Sequence, residues 1–530
     1  MKKITRTVCL LLAVCMLLLT ATACNDSGKK NIESGERGED GSWDEVDFGG
    51  EKLIVSISTA QDPQGTFPAA DIYTKGPDNT NTTDKVQTKV LARNEKVAKT
   101  LNIDVVYKEE DLTYDKVADR VSTLVNNDDE NTPDVFNNDI YGLLRAMIKG
   151  QLYNVLNPVD GKGNQLQNYF DFSYDGWYKD YMRGATMDAS KQYLVAGDYF
   201  IDLVRFAWVI YVNIDKYDAT FATYDTPMPT YTHLARRIYD NWEWSYDDLM
   251  ELSAKGWKDT TQRGVTNKED DVIGFFINNV GDRVFTYTSG ISFLSWESGT
   301  QGIGTPYVVG TQKGGMEGQN ALTKLAEKYK ELYNKEGVLF INDVLPTVTM
   351  FMDQKSIFTM AKLGEMESVQ LRGTDFNRGL VVYPKADANS DGPFHTMVHD
   401  QAEIGAILSS SRRFTMASAY LEMLNEESTD VLNEYNNSLK FKYNDNDAEQ
   451  AKAVRDMIET VHDTIDTPFE PLLGGYICTL TTTQSTIYTL IQTQAKGGLN
   501  NNSFTSNYTA YVDALQVATD ELMDIFRKLP

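Results

Sequence analysis

The side chains that could do chemistry are few in kind and scattered along the chain. There are four histidines, His233, His395, His399 and His462. His395 and His399 have the i, i+4 spacing that lets two imidazoles share a metal on a helix. The residues between them, Thr396, Met397 and Val398, read as strand instead, where positions four apart lie about 13 Å from each other, too far for one ion. Asp and Glu total 76, so an acid pair at glycosidase distance cannot be singled out from residue order. Gly-x-Ser-x-Gly, His-Glu-x-x-His and a phosphate-cradling Gly-Lys-Ser/Thr are absent. Cys478 has no flanking signal of a nucleophile. The residue types suit recognition better than catalysis. Aromatics make up 11% of the chain, with 29 Tyr. Sugars present apolar C–H faces and hydroxyl edges, which aromatic plates and Asp, Asn or Arg can bind.

The elements that hold such residues must form more than one body, because 530 residues exceed what a single hydrophobic core supports. An apolar fraction of 41% and a charged fraction of 24% exclude a wholly disordered chain. A net charge of −26 repels phosphate backbones and argues against nucleic acid as a partner. The one strongly apolar stretch, residues 8–19, excludes a multi-span membrane protein. It follows the basic start Met1-Lys2-Lys3-Ile4-Thr5-Arg6 and precedes Ala21-Thr22-Ala23 and Cys24, the order of a secretory signal over residues 1–23. Residues 24–50 are polar, acidic and Gly-rich, with one apolar patch near Trp43, and read as a flexible tether.

From Lys52 onward short apolar runs alternate with helical stripes. Leu53–Ile57, Ile103–Tyr107, Pro133–Phe136, Tyr193–Ala196, Val209–Val212, Gly274–Ile277, Leu380–Tyr383 and Ile404–Leu408 read as strands. Val86, Val90, Val97 and Leu101 mark one helix face, and Leu322, Leu325, Tyr329 and Leu332 another. Ser245 with Asp248 resembles a capping box, and Trp244 and Tyr246 beside it read as helix-docking residues. Tyr511, Leu515, Leu522 and Phe526 lie on a last helix. Strand and helix in alternation predict an α/β fold with parallel sheets.

Two resemblances add to this reading. Small residues placed directly before Cys24 resemble the lipobox of bacterial lipoproteins, which implies cleavage before Cys24 and diacylation of it. Further on, Arg93-Asn94-Glu95-Lys96-Val97 with Leu101-Asn102-Ile103, Pro133-Asp134-Val135-Phe136, Val212-Asn213-Ile214-Asp215-Lys216, Trp244-Ser245-Tyr246-Asp247-Asp248-Leu249 and Val381-Val382-Tyr383-Pro384 follow one another as in the family 1 extracellular solute-binding proteins. That family, to which maltose-binding protein belongs, serves sugar-importing ABC transporters. The resemblance implies two α/β lobes with a ligand cleft between them, residues 51–203 with 404–458 in one and 209–398 with 462–530 in the other. It places chain crossings near residues 204–208, 397–403 and 458–462. It implies no catalysis and no cofactor, an oligosaccharide ligand, permease subunits as partners, a monomer, and lipid attachment at the extracellular face of the cell membrane.

Ligand-binding candidates then follow from strand ends and crossings: Asn138, Asp139, Tyr199, Asp202, Arg205, Trp208, Trp296, His399 and Asp400. Residues 259–270 have the frame of a calcium loop seen in relatives, but Arg263 stands where a ligand oxygen belongs, so no calcium is expected there. A tethered glycan-degrading enzyme and an all-helical glycan-capture lipoprotein remain alternatives at this point. The lipobox reading has a direct check: Cys24→Ser should release the protein into the medium, and a variant that stays on the membrane would refute it.

Overall fold

The computed structural model describes residues 35–60, 70–78, 81–127, 129–260, 262, 264, 271–311, 313, 315–341, 345–387, 392–439, 447–466, 487–497 and 503–530. The signal, Cys24, Cys478 and most of the calcium-frame loop lie outside them.

The first sheet contains β1 (Glu51–Ser58), β2 (Ile103–Glu110), β3 (Val135–Asp139), β4 (Leu194–Val195) and, from far along the chain, β12 (Glu403–Ile407), in the order β2-β1-β3-β12-β4. β1 is parallel to β2 and β3, and β12 runs antiparallel between β3 and β4. Leu53, Ile54, Val55 and Ile57 of β1 are all buried, which is why this strand is a continuous apolar run without polar alternation. The helix Lys85–Thr100 joins β1 to β2 and inserts the predicted Val86, Val90 and Val97 into the core, with Asp84 capping its first turn through the Gln87 N–H.

The second sheet contains β5 (Trp208–Asn213), β6 (Ile273–Ile277), β9 (Val338–Phe340), β10 (Ser356–Lys362) and β11 (Arg378–Val381), in the order β11-β5-β10-β6-β9. β6, β9 and β10 are parallel, while β5 is antiparallel to β10 and β11. The eight apolar runs read as strands are present, while Thr396–Val398 forms only isolated bridges, and the predicted capping box closes on Ser245 and Asp248. Trp244 is buried and donates its indole N–H to the Val382 carbonyl at 3.0 Å, so it does dock that helix. A separate two-stranded ribbon, β7 (Leu294–Trp296) with β8 (Pro306–Val308), packs on the C-terminal helix Phe504–Lys528.

Among the described residues two chain passages, before β5 and before β12, join the sheets, and they pair with each other and with the segment that follows the helix Ala448–Asp463. Trp208 N–H donates to the Met397 carbonyl at 2.9 Å, and His399 N–H to the Phe206 carbonyl at 3.0 Å. Thr396 N–H donates to the Thr464 carbonyl at 2.7 Å, and Asp466 N–H returns to the Thr396 carbonyl at 3.1 Å. The helix Ala448–Asp463 packs on the helix Tyr231–Asn241 and on β11, with the second sheet.

The expected tether needs correction. Trp43, Val46 and Phe48 are buried against the first lobe. Trp43 donates its indole N–H to Glu426 at 2.8 Å, the Arg37 guanidinium lies 4.3 Å over its ring, and Tyr169 packs 5.6 Å away. The partners lie far along the chain, so local polarity misled the reading. Trp43→Ala should lower stability by about 3 kcal/mol and open residues 35–48 to proteolysis. Glu36→Ala, at an exposed position, should do neither.

Candidate functional site

Parallel strands deliver their C-terminal ends to one side of a sheet, and in open α/β sheets ligands bind there. β1, β2 and β3 end at Ser58, Glu110 and Asp139. β3 turns directly into the helix Ile140–Ile148, whose N-cap is Asp139, accepting from the Gly142 N–H at 2.7 Å. Asn138 precedes it and is buried. Burial pushes the Asp139 carboxyl up to about 7, and the charge of Asp400 adds to this. Tyr141 N–H donates to the Asp400 carbonyl at 3.3 Å, which fixes the second passage to the end of β3. Asn138, Asp139 and Asp400, read from the sequence at a strand end and at a crossing, therefore lie together at the end of β3.

Two aromatic residues here escaped that reading. Tyr114, just past β2, is 47% exposed. Its ring meets Tyr141 edge-on at 5.4 Å, and the Arg145 guanidinium covers Tyr141 at 4.2 Å. The only signal in the sequence is a tyrosine following a strand end, too common a pattern to single out.

The passages contribute His399 and Trp208. His399 Nδ1 lies 3.1 Å from an Asp400 oxygen, and its ring centroid is 6.2 Å from that of Trp208. Burial favours the neutral acid at Asp400, but His399 and Arg283 outweigh it and hold this carboxyl below the usual range. Trp208 is 1% exposed, and its indole N–H has no partner among the described residues. Next to it Lys362, paired with Trp208 across β10 and β5, lies 5.1 Å over the Phe206 ring and 3.6 Å from Glu365. His395 is engaged elsewhere, 2.8 Å from Asp466, so the two histidines four apart serve different partners.

Asp202 and Arg205 form a different group. Arg205 is buried, pairs with Asp202, and donates to both oxygens of Glu367 at 2.8 and 3.2 Å. Glu367 follows β10 in the second lobe. From the first lobe Tyr435 and Tyr73 donate to the same carboxylate at 2.8 and 3.2 Å. Asp202 also accepts from the Glu403 N–H at 3.3 Å, while Glu403 accepts from Ser58 N–H at 3.0 Å and the Thr74 hydroxyl at 2.9 Å. These charges are spent on joining the lobes.

Tyr199 lies inside the first lobe, with the Arg93 guanidinium 4.9 Å over its ring. Trp296 sits on the β7–β8 ribbon, opposite Pro306. Among the described residues no group of three metal-ligating side chains occurs, and no helix is long and apolar enough to cross a membrane.

Two sheets joined by paired passages define a two-lobed binding-protein fold, that of maltose-binding protein. No family model and no curated protein sequence matches the chain. Among solved structures, it is similar to the maltose-binding periplasmic protein of Listeria monocytogenes in complex with maltose. The two are 13% identical, with a TM-score of 0.50, over 89% of this chain and 98% of that one. A cyclo/maltodextrin-binding protein complexed with maltotetraose is also similar, at 13% identity and a TM-score of 0.49, over 90% of this chain and 96% of that one.

Buried acids make stability depend on pH in an uncommon direction. Burial pushes Glu422 up to about 8 and Asp198 up to about 7, as it does Asp139. A carboxyl raised in the folded state binds its proton more tightly there than in the unfolded chain. Its contribution is present at low pH and lost as pH rises through the folded value. Melting temperature should therefore rise from about pH 8.5 to about pH 6.5. Glu422→Gln, whose amide oxygen can keep the bonds from Asp171 N–H and the Trp177 indole, should flatten that slope. An unchanged slope would refute the assignment.

Proposed function

We propose that the chain is an extracellular solute receptor that captures an oligosaccharide between its lobes and presents it to the permease of an ABC transporter. The observation that carries this reading is the convergence of strand ends and passages. Asn138, Asp139 and Tyr141 from the first lobe, His399 and Asp400 from the second passage, and Trp208 with Arg283 at the second lobe meet around one joint. The set combines aromatic rings, amides and carboxylates, which suits hydroxyl edges and C–H faces. The similar periplasmic protein of Listeria monocytogenes is in complex with maltose, and its likeness supports a sugar as the first ligand to try. In this reading the lobes close on ligand and the permease reads the closed form. No covalent step is involved. Cys24 carries the lipid, and the receptor is a monomer at the extracellular face of the cell membrane.

The test is binding of a panel of neutral oligosaccharides by calorimetry, with product analysis on the same samples. Saturable binding with no cleavage is the expected result. Tyr141→Ala should weaken affinity by about ten- to a hundredfold, as loss of an aromatic hot spot does, with little change in melting temperature. Cleavage of any of the sugars would make the protein an enzyme instead.

A further inference from the structure

Among the buried N–H donors with no hydrogen-bond partner in the described residues are Asn138 Nδ2, Trp208 Nε1 and Asn278 Nδ2. Such groups are rare because each forfeits its hydration without return, and they ask for an explanation. Their placement supplies one. Asn138 ends β3 in the first lobe. Trp208 opens β5 and pairs with Lys362, the last residue of β10. Asn278 follows β6, which runs parallel to β10, so it reaches the same end of the second sheet. Arg283, five residues on, is the cation that helps hold Asp400 ionised. Asp400 in turn faces Asp139, next to Asn138. The idle donors thus come from both lobes and border one group of carboxylates. Two other unpartnered amide donors lie away from it: Asn213 caps a helix at the far end of β5, and Asn425 is inside the first lobe.

We propose that these three donors are the polar grip of the ligand site, and that Trp208 serves through its indole N–H. The ring has no open face to stack on, being 1% exposed and set against His399. The donors offer hydrogen to hydroxyl, ring or glycosidic oxygens, while Asp139 and Asp400 take hydroxyl protons. A neutral, oxygen-rich saccharide satisfies both halves, because each hydroxyl can accept and donate at once. The donors are buried here, and parting of the lobes about the passages is the motion that brings them to the ligand. Asn278 is the new member. Its carbonyl oxygen is used internally, accepting from Val280 N–H at 3.0 Å, which leaves the amide N–H free to read the sugar. This rests on the receptor reading above.

Asn278→Ser keeps an oxygen for the Val280 N–H and removes Nδ2. Trp208→Phe removes Nε1–H and keeps most of the ring. For each variant, melting temperature without ligand and affinity for maltotetraose, cellotetraose, xylotetraose and mannotetraose are measured. Melting of Asn278→Ser should stay within about 3 °C of the wild type, because no bond is lost. Affinity for the sugar that the wild type binds should fall at least about tenfold. Unchanged affinity in both variants would overturn the donor assignment and leave the receptor reading intact. Melting of Asn278→Ser far below the wild type would also overturn it, since the amide N–H would then have an internal partner, whereas a loss in Trp208→Phe is also expected from the cavity left by the smaller ring. If the wild type binds none of the four sugars, the receptor reading fails and this assignment falls with it.

Discussion

Arg205 brings a full charge into the joint between the lobes, and the arrangement there is set by the need to compensate it. Removing a guanidinium from water costs several kcal/mol unless its donors are met. Asp202 meets it from its own helical turn, Glu367 from the second lobe, and the Tyr73 ring lies 4.7 Å away. Glu367 is itself held by Tyr73 and Tyr435 of the first lobe. The two lobes therefore share one ionic network through a single passage. Hydrophobic contacts alone would tolerate sliding, whereas a two-pronged contact from Arg205 to one carboxylate fixes orientation.

That network also explains why strand ends are available as a site. Glu403 stands where β12 enters the first sheet, and it accepts bonds from the end of β1 and from Thr74. With that corner closed, β3 and the second passage are held together by the Tyr141–Asp400 backbone bond. Polar groups at the remaining strand ends are not consumed by the joint. Structural charge and recognising polarity are adjacent but separate: Arg205, Asp202, Glu367 and Glu403 on one side, Asn138, Asp139, Trp208 and Asp400 on the other.

Much of the fold was legible because its strands are short apolar runs and its helices carry stripes, both local signals. The α/β class, most strands of both sheets and the Ser245 capping box follow from patterns within about ten residues, while β9 and β10 of the second sheet were not read. The passages were legible only through resemblance. What could not be read depends on pairs distant in the chain. Trp43 is held by a residue 383 positions away, and Tyr199 is covered by Arg93. No window of sequence contains either pair. Among the candidate residues, the strand-end positions of Asn138 and Asp139 were legible from the apolar run before them. Asn278 also ends one, but an Asn-Asn-Val-Gly run reads as an ordinary turn.

Arg205 and Trp208 stand three positions apart and illustrate the limit. Both were plausible ligand residues by type and place. Arg205 has its donors met by the carboxylates of Asp202 and Glu367, which leaves a sugar little to gain from it. Trp208 has a ring packed among protein groups and an N–H with no partner. Residue type alone would favour a stacking role for the tryptophan and a polar contact for the arginine. The environment reverses both: the arginine is structural, and the tryptophan is the one with polar capacity to spare. Which atoms remain unsatisfied after folding, rather than which residue types occur, determines what a binding surface can recognise.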